Sequence, residues 1–349
     1  MDIMRINRIF HEYINSWNFF PYLLKYPFID CLSSYLSTTP VLFLSPGPTL
    51  TRYISTIKKL SPYYFIITSS STLPILLSKN IVPDLVYIVD HSRYVYTWHF
   101  RKEYNYKSLN YVIDPRLDYR VIDTIMPSNI YIMNCHNYLL SLFKNYLQTY
   151  KPLKGFGTVS NVMLSSCIEI LDSPFIIMVG QDFCFYNKKS HAKGRLNEYI
   201  APQRGDIIKV KDESGNEVET QAHLIRYRKQ MRELIKDNFT SSTIKKLGHR
   251  GLKISYIKPT SYSEIKNLYT TPKPQVPIST NYPSVICNNP FIFNNFKNYL
   301  MSPKSKLLYK PIFSQIICNL IGQDFISAFS KFMFNMIDTL YKQQLEKIK

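Results

Sequence analysis

The sequence lacks the cysteine pattern of a metal site or of a disulfide framework. Its six cysteines lie far apart along the 349 residues, and no two of them form a Cys-x-x-Cys pair. No run of histidines shows the spacing of zinc ligands either. We therefore expect neither a structural zinc site nor a network of disulfides.

Long apolar runs are also missing. No stretch reaches the roughly eighteen apolar residues that a bilayer-spanning helix needs, and the first residues lack the apolar core of a signal peptide. These two absences lead us to expect no transmembrane segment and a cytoplasmic location.

The basic charge is not gathered into blocks. The chain carries 43 basic and 24 acidic residues, a net charge of +19 that favours anionic partners. However, no RRM, KH, helix-turn-helix or zinc-finger signature is present. The many tyrosines are scattered rather than interleaved with a basic cluster, as a base-stacking surface would require. We therefore expect no nucleic-acid partner.

Short apolar runs alternate with helix-like segments from residue 41 onward, and this alternation is typical of a parallel sheet covered by helices. The predicted strands are 41–44, 63–68, 85–89, 111–113, 130–133 and 175–179. The predicted helices between them are 49–60, 71–79 and a segment that ends near residue 171. The predicted fold class is α/β, Rossmann-like, with a mostly parallel sheet and flanking helices.

The turn at 45–49 follows the first predicted strand and precedes a predicted helix. Gly47 can adopt backbone angles that other residues avoid, and the free N–H groups of a helix start favour an anion. Gly47, Pro48 and Thr49 are therefore candidate phosphate-binding residues. The turn lacks the three spaced glycines of a dinucleotide fingerprint and the lysine of a P-loop. Pro46 also removes one N–H donor.

Other candidate residues lie where predicted strands end and where the next predicted helix begins. The carboxyl ends of parallel strands meet at one edge of a sheet, where ligands bind. The further candidates for nucleotide or phosphate binding are Ser69, Asp90, Asn134, Gly157, Thr158, Ser160, Gly180 and Gln181. Two alternatives stay open, because Thr158 and Ser160 can serve as ordinary helix caps, and Asp90 and Asp182 as ordinary turn residues.

The order of these motifs resembles the MptE-like family, which includes the central domain of motility accessory factors, proteins of flagellin glycosylation. The landmarks are Gly47-Pro48-Thr49-Leu50, the Pro83-Asp84 turn that leads to Asp90, Gly157-Thr158-Val159, Gly180-Gln181-Asp182-Phe183, Ser190-His191-Ala192 and a hairpin-like stretch at 210–220. The resemblance covers residues 40 to 260. The Ser45-Pro46 pair and Thr49 depart from the usual form of the first landmark.

The resemblance implies a fold related to bacterial sialyltransferases, and with it a transferase that moves a sialic-acid-like (nonulosonic) sugar from a CMP-activated donor without an essential metal. The acceptor it implies is the hydroxyl of a flagellin-like protein or of a glycan. It also implies a competing activity, the Mg²⁺-dependent transfer of diphosphate from ATP to 6-hydroxymethyl-dihydropterin, in which Asp90 and Asp182 would hold the metal. A third alternative is a non-catalytic protein that binds a nucleotide sugar.

His191 is the candidate general base of the glycosyl-transfer hypothesis. It follows Asp182 by nine residues in a polar loop, where the resemblance places a catalytic histidine after a similar motif. A histidine side chain suits proton transfer near neutral pH. Tyr186 and Lys188 are candidates to stabilise charge on the departing phosphate, and Asp182 completes the candidate catalytic set. The alternative is an exposed polar loop without a catalytic role.

Composition changes along the chain predict four regions. They are a helical extension at 1–39, the transferase domain at 40–260, a proline-rich linker or arm at 261–290, and a helical region at 291–349. Within the second region we predict a helix at 221–236 capped by Thr220, and residues 248–258 resemble the family's closing strand. A second Gly-Gln-Asp-Phe at 322–325 lies in a helical pattern, so we assign it no site.

Overall fold

A computed structural model describes residues 15–16, 19–23, 25–92, 94–127, 129–133, 153, 157–194, 206–237 and 243–279. Asn134, the predicted helical region at 291–349 and the repeated motif at 322–325 lie outside the described residues.

The core of the fold is an eight-stranded sheet in which every pairing is parallel. Its strands are β1 (Val41–Leu44), β2 (Phe65–Ser69), β3 (Leu85–Ile88), β4 (Asn110–Ile113), β5 (Asn129–Ile132), β6 (Phe175–Val179), β9 (Thr243–Leu247) and β10 (Lys258–Thr260). An antiparallel hairpin of β7 (Ile207–Lys211) and β8 (Glu217–Gln221) stands apart from the sheet. The predicted α/β, Rossmann-like class is confirmed.

The spatial order of the strands is β10-β9-β6-β1-β2-β3-β4-β5. The chain therefore moves outward from β1 to β5 on one side, and then returns to lay β6 against the other side of β1. A topological switch point between β1 and β6 follows from this order, and open parallel sheets bind ligands at the carboxyl ends of the strands beside such a point.

Helices cover both faces of the sheet. They are α1 (Phe20–Leu23), α2 (Ser33–Leu36), α3 (Ile54–Leu60), α4 (Leu73–Leu77), α5 (Tyr94–Trp98), α6 (Tyr119–Ile125), α7 (Val159–Glu169), α8 (Ala222–Asp237) and α9 (Tyr262–Ile265), with 3₁₀ helices at Ile29–Leu32 and Leu50–Tyr53. Alternate residues of β1 point to opposite faces, so that Val41 and Phe43 join one apolar cluster and Leu42 and Leu44 the other. Each buried side chain of this size contributes about 1.5–3 kcal/mol. Among the described residues, no helix is long and apolar enough to cross a membrane.

Three local predictions differ from the structure. The predicted helix at 49–60 is split into the 3₁₀ helix Leu50–Tyr53 and α3. Thr220 does not cap α8 through its hydroxyl, because it lies in β8 and that hydroxyl donates to the carbonyl of Phe183 at 2.7 Å.

The predicted closing strand at 248–258 is wrong. Gly248, Gly251 and Tyr256 have φ angles of +79°, +89° and +71°, which turn the chain instead of extending it. The strand β9 ends just before this segment, and β10 begins at its last residue, Lys258.

Candidate functional site

A cavity opens at the switch point, beside the carboxyl ends of β1, β2 and β6. It brings together nine of the residues singled out from the sequence, namely Gly47, Pro48, Ser69, Thr158, Ser160, Gly180, Gln181, Asp182 and His191. The wall opposite the strand ends includes Leu224 and Tyr227 of α8, which the sequence did not suggest. The expectation that distant motifs form one crevice agrees with this geometry.

Two of these motifs contact each other directly. The N–H of Gly47 donates to the carbonyl of Gly180 at 2.9 Å, and the Ser45 hydroxyl donates to the Gln181 amide oxygen at 2.7 Å. A Cβ on Gly47 would lie 2.2 Å from the Gly180 carbonyl oxygen. Glycine is needed at position 47 because the two backbones approach so closely.

Asp182 clamps the turn at 45–49. Its Oδ2 accepts the Thr49 N–H at 2.8 Å and its Oδ1 accepts the Thr49 hydroxyl at 2.6 Å. Burial raises the pKa of Asp182, although the two hydrogen bonds from Thr49 act in the opposite direction. Both carboxylate oxygens are therefore engaged inside the protein, and the role that this carboxylate performs in the structure is to hold the turn.

The turn itself offers no N–H group to a phosphate. Pro46 and Pro48 have none, and Gly47 and Thr49 donate theirs to the neighbouring turn described above. The N–H of Leu50 donates back to the carbonyl of Gly47 at 3.0 Å. The prediction that this turn supplies phosphate-binding N–H groups is therefore wrong, although Gly47 and Pro48 line the cavity.

The start of α7 provides the free N–H groups that the turn at 45–49 lacks. The N–H groups of Val159 and Ser160 donate to no described residue, and both residues line the cavity. Thr158 is extended, with φ −144° and ψ 146°, and its hydroxyl makes no capping hydrogen bond. The ordinary-cap alternative for Thr158 is thus not what the structure shows. An eleven-residue helix with free N–H groups at its start is a suitable site for an anion.

His191 lies at the rim of the same cavity. Its Nδ1 is 2.8 Å from the Ser190 hydroxyl oxygen, and the N–H of the next residue, Ala192, donates to the carbonyl of Pro46 at 2.8 Å. That backbone bond fastens the histidine loop to the turn at 45–49. The histidine is half-buried, so it can face a ligand and still contact solvent.

Tyr186 and Lys188 do not line this cavity, although we expected both beside its phosphate. The Tyr186 hydroxyl donates to Asp212 Oδ2 at 2.8 Å and accepts the Gly251 N–H at 2.7 Å. Burial raises its pKa. Lys188 is exposed. Tyr186 therefore joins three loops and does not line the cavity at the switch point.

Of the two candidates at the ends of β2 and β3, Ser69 lines the cavity and Asp90 does not. Asp90 is exposed, accepts the Ser92 N–H at 2.9 Å and does not line the cavity, so its turn-residue alternative is the better description. Ser69 lines the cavity, with its hydroxyl 2.9 Å from that of Ser71. Ser45 also lines the cavity, although we did not expect it there from the sequence, and its position at the end of β1 was the available signal.

Among the described residues, Asp182 is the one carboxylate that lines this cavity. Magnesium with bound phosphates takes one or two carboxylates as ligands. Asp182 uses both oxygens on Thr49, and Asp90 lies outside the cavity. Within the described ranges, no cluster of three His, Cys, Asp or Glu residues could hold a metal.

Comparisons with known proteins agree with this architecture. Residues 15–188 match the family model described as "6-hydroxymethylpterin diphosphokinase MptE-like". A similar solved structure is that of the MAf glycosyltransferase from Magnetospirillum magneticum AMB-1, with a TM-score of 0.56 and 15% sequence identity. The similarity covers 77% of this chain but only 40% of that one, and it concerns the fold alone. A search of curated proteins found no match. The matched stretch contains both interlocking turns and the start of α7, and over residues 15–188 this chain belongs to the MptE-like family.

Proposed function

We propose that the protein is a glycosyltransferase that binds a nucleotide-activated sugar in the cavity at the switch point. The donor is a CMP-activated, sialic-acid-like (nonulosonic) sugar, and the acceptor is a hydroxyl of a flagellin-like protein or of a glycan. One observation carries the proposal: the start of α7, with N–H groups available for a phosphate, faces the same cavity as the loop histidine His191. We also propose a cytoplasmic location, as expected from the sequence.

The two features divide the reaction between them. His191 accepts the proton of the acceptor hydroxyl while the hydroxyl oxygen forms a bond to the anomeric carbon. The bond from that carbon to the phosphate oxygen breaks, and the nucleotide leaves with the electron pair. Negative charge grows on the phosphate as it departs, and the N–H groups of Val159 and Ser160 with the Thr158 hydroxyl stabilise it.

The same site favours a mechanism without a metal. The positive end of a helix can compensate phosphate charge without a cation. Of the two carboxylates that the diphosphokinase alternative uses, Asp182 holds the turn at 45–49 and Asp90 does not line the cavity. We therefore propose that no cofactor is required.

The description of the matched family supports the second candidate, a diphosphokinase that uses Mg²⁺ and ATP. It would have to recruit metal ligands from outside the cavity lining described here. The third candidate, a non-catalytic nucleotide-sugar-binding protein, would be preferred if the loop histidine were remote from the cavity. His191 instead lines the cavity.

Calorimetric titration separates these candidates. The purified full chain is titrated with cytidine monophosphate and with a non-hydrolysable ATP analogue, each with Mg²⁺ and with excess chelator. Metal-independent binding of cytidine monophosphate is the expected result. Binding of the ATP analogue alone, and only with Mg²⁺, would move the assignment to the diphosphokinase.

Substitution of the base then tests the mechanism. His191→Gln should leave the affinity for cytidine monophosphate unchanged and should lower the release of cytidine monophosphate from a CMP-activated nonulosonic sugar by about 10²–10⁴-fold. The matched control is His249→Gln, since His249 is exposed and lines neither of the two cavities beside His191. Full turnover in the His191 variant would remove the base from the mechanism.

A further inference from the structure

A second cavity adjoins the first at His191. Only Pro48 and His191 line both cavities, so the histidine stands at the boundary between them among the described residues. If the nucleotide donor occupies the first cavity, a hydroxyl that gives its proton to His191 can approach from the second. The second cavity is therefore the position for the acceptor, a conclusion that rests on the proposed function.

The second cavity is strongly basic. Its described lining includes four cationic residues and no carboxylate. The cations are Arg52, Lys189, Lys193 and Arg250. Arg52, Lys193 and Arg250 form no ion pair with any described carboxylate. Several cations around one concave site whose described lining holds no carboxylate attract an anion.

Each of three cations belongs to a segment that the first site holds in place. Arg52 lies in the 3₁₀ helix that follows the clamped turn. Lys193 comes one residue after Ala192, whose N–H is bound to Pro46. Arg250 lies two residues before Leu252, whose N–H donates to the carbonyl of Asp182 at 2.8 Å, and its guanidinium lies 5.4 Å from the ring centre of Tyr186. The segments that carry these cations are thus tied by hydrogen bonds to the turn at 45–49 or to Asp182.

We propose that the second cavity binds an anionic group on the acceptor, so that the acceptor is a hydroxyl compound or segment that bears a phosphate or carboxylate close to the reacting hydroxyl. Arginine and lysine recognise both groups through charge-assisted hydrogen bonds. An acceptor anchored by its own charge holds its hydroxyl near the base, which lowers the entropic cost of the reaction.

The test uses the full chain saturated with cytidine monophosphate. Glycerol phosphate, which carries a hydroxyl and a phosphate, is titrated into it, with glycerol as the neutral probe. The double variant Arg52→Gln, Lys193→Gln removes two exposed cations of the second cavity. Its matched control is Lys58→Gln, Lys79→Gln, which removes two exposed cations that line neither cavity.

We expect glycerol phosphate to bind and glycerol not to bind. The first double variant should weaken the binding of glycerol phosphate by roughly tenfold or more, because it removes two cations that attract the phosphate. The control should bind as the unmodified protein does. Equal affinities in the two double variants would overturn the proposal.

A second comparison identifies which reactant brings the anion. If the first double variant loses affinity for a CMP-activated nonulosonic sugar but keeps its affinity for cytidine monophosphate, the cations bind the carboxylate of the donor, and the acceptor assignment is overturned. If cytidine monophosphate itself does not bind, the proposed function fails. The glycerol phosphate titration without nucleotide would then still show whether the cavity holds an anion.

Discussion

At the scale of single residues, Asp182 shows how one residue type can indicate two different roles. An aspartate directly after a buried strand suits both a catalytic site and a turn. In the structure, its two oxygens accept hydrogen bonds from the N–H and the hydroxyl of Thr49, 133 positions away in sequence. Sequence spacing cannot reveal such a partner, because the contact exists only after β1 and β6 pair.

The raised pKa of Asp182 leads to a prediction about stability. A carboxyl group whose pKa is higher in the folded than in the unfolded protein contributes stability at low pH, and that contribution is lost as the pH rises through the folded value. Asp182→Asn removes this dependence and keeps the size of the side chain, and the Thr49 hydroxyl can rotate to accept the new N–H. We expect the variant to be at least as stable as the unmodified protein at pH 7, measured by urea unfolding.

Thr49→Val provides the contrast. It leaves the buried Oδ1 of Asp182 without its hydroxyl donor, which should cost about 1–3 kcal/mol. If Asp182→Asn were instead destabilised as much as Thr49→Val, the ionised carboxylate would be essential to the turn and our interpretation would fail.

At the scale of elements, Tyr186 joins the histidine loop to the β7–β8 hairpin and to the turn at 248–251. Asp212, at the start of the hairpin turn, also accepts the N–H groups of Ser214 and Asn216, each at 2.9 Å. The tyrosine hydroxyl is the one side-chain group, among the described residues, that binds both Asp212 and Gly251. Its loss should therefore loosen three segments at once.

Tyr186→Phe tests this structural role against a catalytic one. We expect the free energy of unfolding to fall by about 1–3 kcal/mol, since the N–H of the buried Gly251 and the carboxylate of Asp212 lose their partner. Affinity for cytidine monophosphate should change little, because the hydroxyl does not reach the first cavity. The matched control is Tyr63→Phe. The hydroxyl of Tyr63 makes no hydrogen bond with a described residue. Lost turnover at unchanged stability would instead restore Tyr186 to the catalytic set.

The pH dependence of this variant has a definite sign. Burial raises the pKa of Asp212, but the hydrogen bonds from Tyr186, Asn216 and Ser214 lower it overall from its ordinary value of 3.8. The stability that these bonds add is therefore present in full above pH 3.8 and is lost as the pH falls through the lowered value. The difference between the unmodified protein and the Phe variant should shrink in that acidic range.

At the scale of the whole molecule, residues 266–279 run along the amino ends of the strands, opposite the functional site. Tyr269 packs against Phe175 at the start of β6, with ring centres 5.6 Å apart. Lys273 pairs with Asp84 before β3, and the carbonyl of Pro277 accepts the Asn129 side chain in β5 at 2.9 Å. The segment thus links strands from both sides of the switch point.

Lys273→Met tests the contribution of this segment. The variant leaves the largely buried carboxylate of Asp84 without its cation, and removing one partner of a buried ion pair costs about 3–5 kcal/mol. Urea unfolding measures the loss. Lys266→Met, at an exposed position of the same segment, should have little effect. Nucleotide binding at the opposite edge should persist wherever the variant remains folded, and an equal effect of both substitutions would contradict this account.

The sequence by itself determined the strand–helix alternation, because buried parallel strands require continuous apolar runs and their turns require glycine and proline. The extents of β1 and β6 followed directly from their apolar residues. It did not reveal β9, whose Thr-Ile-Lys-Lys-Leu resembles a surface segment although Lys246 is buried against Glu213.

Only the tertiary structure decided which candidates meet and what each one does. The sequence indicated both the turn at 45–49 and the start of α7 as anion sites, but the N–H groups of that turn are used by the turn after β6, and the available N–H groups belong to α7. The physical reason is that every buried donor must find an acceptor. Which acceptor it finds depends on strands that are adjacent in space and distant along the chain.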